Sequence, residues 1–298
     1  MGFIDLHMHS NASDGNHTPE ELIKIAKEKR AKYISLTDHD TISNLEEFNK
    51  IALREGINVT NGVEIETQID TFLKNSGKQY KRVHILGYGF NDKKRMAEEL
   101  AFVKRLKDDS INRLLDKVKA SGLDASISDI ERHIGHKFIN DSSIMRFLYE
   151  QGVTKAQIFE YFDYKNITYC LSVEEAINLI RSCGGVPIMA HPGKTIARYG
   201  NELEESIITR LKDIGLVGIE AMHSSHTNEQ MIRYKKIAQE KGMIYTVGSD
   251  YHRESSVEVV SGLDDNLNVS DIEIMANLNN EIRKIQRERE REGEIIHA

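Results

Sequence analysis

Histidine and carboxylate residues recur behind short apolar runs through almost the whole chain: His7-Met8-His9, Asp14-Gly15, Thr37-Asp38-His39-Asp40, Glu64, His84, His191-Pro192 and Asp250-Tyr251-His252. Few folds can use such a series. Residues this far apart in sequence meet when strands alternating with helices deliver their ends to one face, where active sites collect. The series therefore predicts an α/β fold whose strand ends carry nitrogen and oxygen donors to a common rim.

The pattern between the donors agrees. Phe3 to Leu6, Tyr33 to Thr37, Asn58 to Glu64, Val186 to Ala190, Val217 to Ala221 and Ile244 to Val247 read as strands, and Val83 to Tyr88 as a hairpin partner of the third or a further strand. Thr18-Pro19-Glu20-Glu21 marks a helix start, with Thr18 as N-cap, Pro19 in the first turn and Glu21 completing a capping box. Helices follow at about 45–54 and 173–183, the latter ended by Gly184-Gly185. A strand total near seven suggests a small or incomplete (β/α) barrel. From about Asp92 to Lys165 the rhythm changes: Leu100, Val103, Leu106, Leu114, Leu115 and Val118 repeat at helical spacing. We read residues 1–91 and 166–270 as one discontinuous α/β domain, 92–165 as an inserted helical subdomain, and 271–298 as a charged C-terminal helix or tail.

At 298 residues the chain has enough apolar material for a core, with 39% hydrophobic and 29% charged residues. A formal net charge of −7 argues against wrapping long duplex nucleic acid, but leaves room for a small phosphorylated substrate whose charge is neutralised locally. Cys170 and Cys183 show no CxxC pattern, so neither a disulfide framework nor a thiolate zinc site is expected. No long apolar run suggests a membrane span, and no basic-then-apolar leader precedes His7, so the expectation is a cytoplasmic enzyme. Oligomeric state is not legible.

His7 and His9 at i and i+2 of a strand project from the same face, as do Asp250 and His252 beyond the last strand. Asp38 or Asp40 is placed to orient an imidazole through its second N–H. Without thiolates, the donor set suits Mn²⁺, Fe²⁺ or Zn²⁺, and it exceeds what one ion can use. Clustered divalent ions generate hydroxide at neutral pH and neutralise phosphate oxygens, which supports in-line attack at phosphorus. Either substrate contact or proton donation suits His223 and His226, which follow a strand near Ala221, although a polar loop lining the cleft fits equally. Glu220 is expected beneath the site. His133 and His136 read as a solvated helix face, and His17 and His297 as surface residues.

Taken together, Asp5-Leu6-His7-Met8-His9-Ser10, Ser13-Asp14-Gly15, Thr37-Asp38-His39-Asp40-Thr41 and Gly62-Val63-Glu64-Ile65 resemble the opening motifs of the PHP (polymerase and histidinol phosphatase) family. His84-Ile85-Leu86-Gly87-Tyr88, Gly184-Gly185-Val186, Ala190-His191-Pro192 and Gly248-Ser249-Asp250-Tyr251-His252 resemble its later ones. The resemblance runs from residue 3 to about 262 and is greatest to the bacterial nucleoside 3′,5′-bisphosphate phosphatases and 5′→3′ oligoribonucleotide hydrolases.

It implies a distorted (β/α)7 barrel with a trinuclear site, where the donor count alone implies two or three divalent ions. His7, His9, Glu64 and Asp250 would hold one, Asp14, His39 and His252 a second, and Glu64, His84 and His191 a third, with Asp250 as an alternative bridge. Asp14, His39, Glu64 and Asp250 would serve catalysis by holding a bridging hydroxide. The chain departs from the family where an Arg-Pro-His stretch usually faces the substrate: Asp141-Ser142-Ser143 stands there, followed by Ile144-Met145-Arg146. Lys194 replaces a frequent arginine, with Arg198 close behind. Lysine is a point charge without arginine's planar fork. Lys194, Arg198, Arg146, His223 and His226 are the expected substrate contacts. The expected activity is metal-dependent hydrolysis of phosphate monoesters of small nucleotides or of short RNA 5′ ends. Histidinol-phosphate or another metabolite phosphatase is the alternative and a non-catalytic PHP scaffold a more distant one; C–N bond hydrolysis suits the ligand types, but the missing metal-bridging lysine and the presence of Lys194 and Arg198 count against it.

Overall fold

The apolar run behind the first histidine pair forms β1 (Phe3–Met8) in a computed structural model describing residues 3–69, 82–119, 122–154, 156–157, 168–197, 200–253 and 270–296. The expected capping box opens α1 (Pro19–Glu28): the Glu21 N–H donates to Thr18 Oγ1 at 3.3 Å, and the Thr18 N–H donates to the Glu21 carboxylate at 2.8 Å. β2 (Ala31–Leu36), α2 (Leu45–Arg54) and β3 (Asn58–Val59) follow, and β1, β2 and β3 form a parallel three-stranded sheet.

The single strand expected at Asn58 to Glu64 is in fact two. β3 stops at Val59, and β4 (Gly62–Gln68) belongs to another sheet. The break occurs where the chain crosses the end of β2. A Cβ on Gly62 would run into the Ser35 hydroxyl and the Leu36 carbonyl, so only glycine fits the crossing. β5 (Arg82–Tyr88) is the antiparallel partner of β4, with Glu66 opposite His84.

α3 (Lys93–Lys119), α4 (Ile127–Ile134) and α5 (Asp141–Glu150) make up the helical stretch. The alternation then resumes through β6 (Leu171–Ser172), α6 (Val173–Ser182), β7 (Val186–Met189), α7 (Pro192–Thr195), α8 (Asn201–Asp213), β8 (Gly218–His223), α9 (Asn228–Glu240) and β9 (Ile244–Gly248). The second sheet has the order β6-β4-β5-β7-β8-β9, in which β5 runs antiparallel to both neighbours. Reversal of β5 brings its early residue His84, rather than its end, to the rim where β4 and β7 place their donors.

The two sheets meet through the loops that carry the donors. At one junction the Asp250 N–H donates to the His7 carbonyl at 2.9 Å and the His9 N–H to the Tyr251 carbonyl at 2.8 Å. At the other, the Asp40 N–H donates to the Glu64 carbonyl at 2.8 Å and the Glu64 N–H to the Asp38 carbonyl at 3.2 Å.

Leu6, Ile34, Val63, Ile85, Ile188, Ile219 and Val247 sit in one hydrophobic core between strands and helices. A second cluster joins Ile111, Leu114 and Val118 of α3 to Ile130 of α4 and Ile144, Phe147 and Leu148 of α5. α3 serves both, since Met96 and Leu100 pack in the main core. Of the helix or tail expected for the C-terminal stretch, the helix forms. It is α10 (Asp271–Ile296), whose Ile274, Met275, Leu278 and Ile285 are buried in the main core. At about 1.5–3 kcal/mol for each such buried side chain, this stripe outweighs the surrounding charge. Among the described residues, no helix is long and apolar enough to cross a membrane.

Candidate metal centre

Five imidazoles converge on the carboxylate of Glu64, the fully buried third residue of β4. Oε2 lies 3.1 Å from His7 Nε2, 3.2 Å from His9 Nε2 and 3.2 Å from His39 Nδ1. Oε1 lies 2.9 Å from His84 Nδ1 and 3.0 Å from His191 Nε2. Asp250 Oδ1 sits 3.4 Å from His7 Nε2 and 3.3 Å from His9 Nε2, and Asp14 Oδ1 sits 3.2 Å from His252 Nε2. Every metal-ligand residue expected from the sequence is therefore in one continuous cluster. Donor atoms within 4.8 Å of one another form the groups His9, Asp14, His39 and His252; His7, Glu64, His191 and Asp250; His39, Glu64 and His84; and, outside the expected ligands, His7, Glu220 and His223. These groups cut across the three sets implied by the resemblance: His9 falls with Asp14, and His191 with His7.

Glu220, in the middle of β8, completes the floor. Its Oε1 accepts from His7 Nδ1 at 2.9 Å and its Oε2 from the His191 N–H at 2.8 Å. The His7 ring therefore presents Nε2 to the cluster, with Glu220 fixing its tautomer. Gly248 makes room for this pair, because a Cβ there would collide with His7 and the Glu220 carboxylate. Asp38 and Asp40 do not orient an imidazole. Asp38 instead accepts from the Ser10 N–H at 2.7 Å, Ser10 Oγ at 2.6 Å and Ser13 Oγ at 2.7 Å, pinning the loop that leads to Asp14. Asp40 is engaged by Lys107 Nζ at 2.8 Å and by the Glu66 N–H at 3.0 Å.

The electrostatics favour cations. Burial opposes ionisation of Glu64, yet His39, His7 and His84 hold it well below the usual carboxylate range. Burial likewise opposes charge on His9, but hydrogen bonds to Asp250 and Glu64 and the charge of Asp14 push it up to about 10. His39 goes the other way: burial drives it down to about 3. His9 Nδ1, Asp14 Oδ1 and His39 Nδ1 are buried and make no well-aligned hydrogen bond to the neighbours they face across the cluster. Divalent ions fit these residues. Their charge answers Asp14, Glu64, Glu220 and Asp250 together, and the lone pairs already converge.

Backbone strain concentrates here as well. Asp40, His191 and Asp250 have φ of +52°, +24° and +57°, where non-glycine residues are uncommon.

The cluster opens into a cleft of about 850 Å³ lined by Asp14, His136, Arg146, Lys194, His223 and Arg253, among others. Lys194 Nζ donates to Asp250 Oδ2 at 2.6 Å, and Arg146 pairs with Glu150 at 3.1 Å on the cleft wall. His223 ends β8; its Nδ1 accepts from the Ser225 N–H at 3.0 Å, so the neutral ring carries its proton on Nε2, 3.8 Å from Asp250 Oδ2. His226 is not a substrate contact. Its Nδ1–H donates to the Ala221 carbonyl at 3.0 Å and its Nε2 accepts from the Gly193 N–H at 3.0 Å, leaving no ring nitrogen available. His136 is not on a solvated helix face: it follows the Gly135 cap of α4 and lines the cleft. His133 pairs with Glu150 at 2.8 Å, and His17 is partly buried against Tyr251. Asp141 opens α5 and binds Arg82 Nη2 at 3.0 Å instead of facing the cleft. Arg198 and His297 lie outside the described residues.

A profile of the PHP domain matches residues 5–244, and the chain belongs to the PHP domain family. Its class is that of metal-dependent phosphoester hydrolases. The chain is 29% identical over 264 residues to a 3′,5′-nucleoside bisphosphate phosphatase of Chromobacterium violaceum, covering 85% of this chain and 88% of that one. It is 28% identical over 258 residues to a 5′-3′ exoribonuclease of Haemophilus influenzae, covering 83% and 89%. A solved Chromobacterium violaceum amidohydrolase with bound sulfate matches with a TM-score of 0.65 at 29% identity, over 84% of this chain and 87% of that one. A structure from Bifidobacterium adolescentis, 22% identical with a TM-score of 0.66, shares the fold over 92% and 96%.

Proposed function

We propose that this protein hydrolyses phosphate monoesters of small nucleotides, of the nucleoside monophosphate or 3′,5′-bisphosphate type, and acts on short 5′-phosphorylated RNA ends. The observation that carries this reading is Glu64 with five imidazole nitrogens within 3.2 Å, opening into a cleft with cationic walls. Similarity to a bisphosphate phosphatase and an exoribonuclease supports the nucleotide class.

In this reading β1, β2, β4, β5, β7, β8 and β9 form one distorted seven-stranded barrel, closed by the hydrogen bonds between the two sheets. The helical unit is inserted between β5 and β6. The metal ligands are His7, His9, Asp14, His39, Glu64, His84, His191, Asp250 and His252, holding two or three ions of Mn²⁺, Fe²⁺ or Zn²⁺. Such ions supply a water-derived nucleophile at neutral pH and neutralise phosphate oxygens. Glu220 keeps His7 oriented throughout. Lys194 leaves its Nζ between Asp250 and the cleft, where it attracts the incoming phosphate. His223 offers its Nε2–H to a phosphate oxygen or to the departing alkoxide. Arg146, His136 and Arg253 line the cleft further out, suited to the remainder of an anionic substrate.

Phosphate release by Mn²⁺-loaded protein tests the reading, with adenosine 3′,5′-bisphosphate, AMP, histidinol phosphate and a short 5′-phosphorylated RNA as substrates. Highest kcat/KM for the nucleotides or RNA is expected. Preference for histidinol phosphate would move the chain to metabolite hydrolysis, and silence on all four would remove the proposed activity.

A further inference from the structure

Lys107 is buried, at 7% exposure, where α3 passes from the main core to the second hydrophobic cluster. An ammonium is costly at such a place unless it is paired, and apolar replacement of a buried ion pair is often neutral or stabilising. Stability alone therefore does not explain a lysine here, but its partners do. Nζ lies 2.8 Å from Asp40 Oδ2, 3.1 Å from Glu66 Oε2 and 4.7 Å from the centre of the Phe138 ring.

Each partner adjoins a proposed ligand. Asp40 follows His39, holds φ +52°, and ties its own N–H to the Glu64 carbonyl. Glu66 shares β4 with Glu64 and stands opposite His84 on β5. Phe138 stacks on the His39 imidazole, with centroids 4.1 Å apart and planes at 14°. Arg82 Nη1 lies 3.5 Å from the same Glu66 oxygen, while its Nη2 binds Asp141 of α5. Both cationic arms thus link the helical unit to the strands of the metal centre.

We propose that Lys107 is a positioning residue of the metal centre. It draws the His39–Asp40 turn and the Glu64–Glu66 segment together and seats Phe138 against His39, so the ligand geometry depends on a docked helical unit. The inference rests on the ligand assignment above.

Full-length Lys107→Met and Lys107→Arg test it, with Mn²⁺ stoichiometry and affinity measured by calorimetry, alongside kcat and KM at limiting and excess Mn²⁺. Lys107→Met is expected to bind Mn²⁺ roughly 10–100-fold more weakly at part of its sites, the range typical of outer-shell partners. Its kcat should fall at limiting Mn²⁺ and recover in excess, with KM unchanged, and Lys107→Arg should keep more of the affinity. Wild-type stoichiometry and affinity in Lys107→Met overturn the inference, whatever happens to thermal stability. Should that variant not fold, Asp40→Asn removes the charge of the lysine's nearer partner while keeping a side chain tolerated at positive φ, and unchanged Mn²⁺ binding there overturns it equally. Wild-type protein that binds Mn²⁺ without hydrolysing any substrate sinks the proposed function and leaves this inference standing. Wild-type protein that binds no divalent ion sinks both.

Discussion

Asp250 combines a strained backbone with three polar duties, and that combination decides how it should be probed. Its carboxylate faces His7 and His9, Lys194 holds its other oxygen, and its N–H closes on the His7 carbonyl. Alanine at φ +57° would add backbone strain to loss of the carboxylate. Asparagine tolerates that conformation and removes only the charge. Asp250→Asn is therefore expected to lower phosphate release by at least about 100-fold, beyond the usual outer-shell effect, with a nearly unchanged urea midpoint. Turnover retained with added Mn²⁺ would mean the ligand set is misassigned. Residue identity carried much of this site into the sequence, because histidines paired with carboxylates after apolar runs have a visible spacing. Glu220 was legible as lying beneath the site but not as the partner of His7, since β8 brings it there from far along the chain. His136, Phe138 and Lys107 gave no local signal. Their roles arise from docking of the helical unit, which no periodicity reveals.

Short loops and helices hold the rim by specific tethers, and one of them titrates. His226, in the loop after β8, ties Gly193 of α7 to Ala221 of β8, and protonation would remove its acceptor for the Gly193 N–H. Burial is the main reason that its folded value drops from 6.5 to about 4. The unfolded chain then binds the extra proton between those values, so stability is intact above about pH 6.5 and declines as pH falls towards about 4. The loss is at most roughly 3 kcal/mol over that window. Urea midpoints measured from pH 7 to 4 should fall more steeply for wild type than for His226→Gln, and identical slopes would exclude His226 as the cause. Other elements were unevenly legible. The cap of α1 follows from three neighbouring residues and forms as expected. The helix of α10 was one of two readings, but its packing into the core was obscured by its dense Arg and Glu, because an apolar stripe spaced along one helix face is easily lost in a charged composition. The break between β3 and β4 depends on contact with β2, which the local sequence does not encode.

At the scale of the whole molecule, alternating strands and helices made the α/β class readable, and the hairpin reading of Val83 to Tyr88 anticipated the reversed β5, whereas the division into two sheets was not readable. That division depends on which edges meet, and no single strand's apolar pattern encodes it. The division has a consequence for behaviour without metal. The isolated bridges joining the sheets, Met8 with Tyr251 and His39 with Glu64, each pair a strand residue with a donor-loop residue. Any ion held there binds the folded arrangement and stabilises it by mass action. Chelation is expected to speed amide hydrogen exchange at His9, Asp40, Glu64 and Asp250, while Ile85 and Ile188, inside the six-stranded sheet, remain protected. Uniform exchange across all six would show that closure is independent of the ions. The rim is thus a clasp as well as a reaction vessel: starved of metal, the molecule would begin to open along the line where it works.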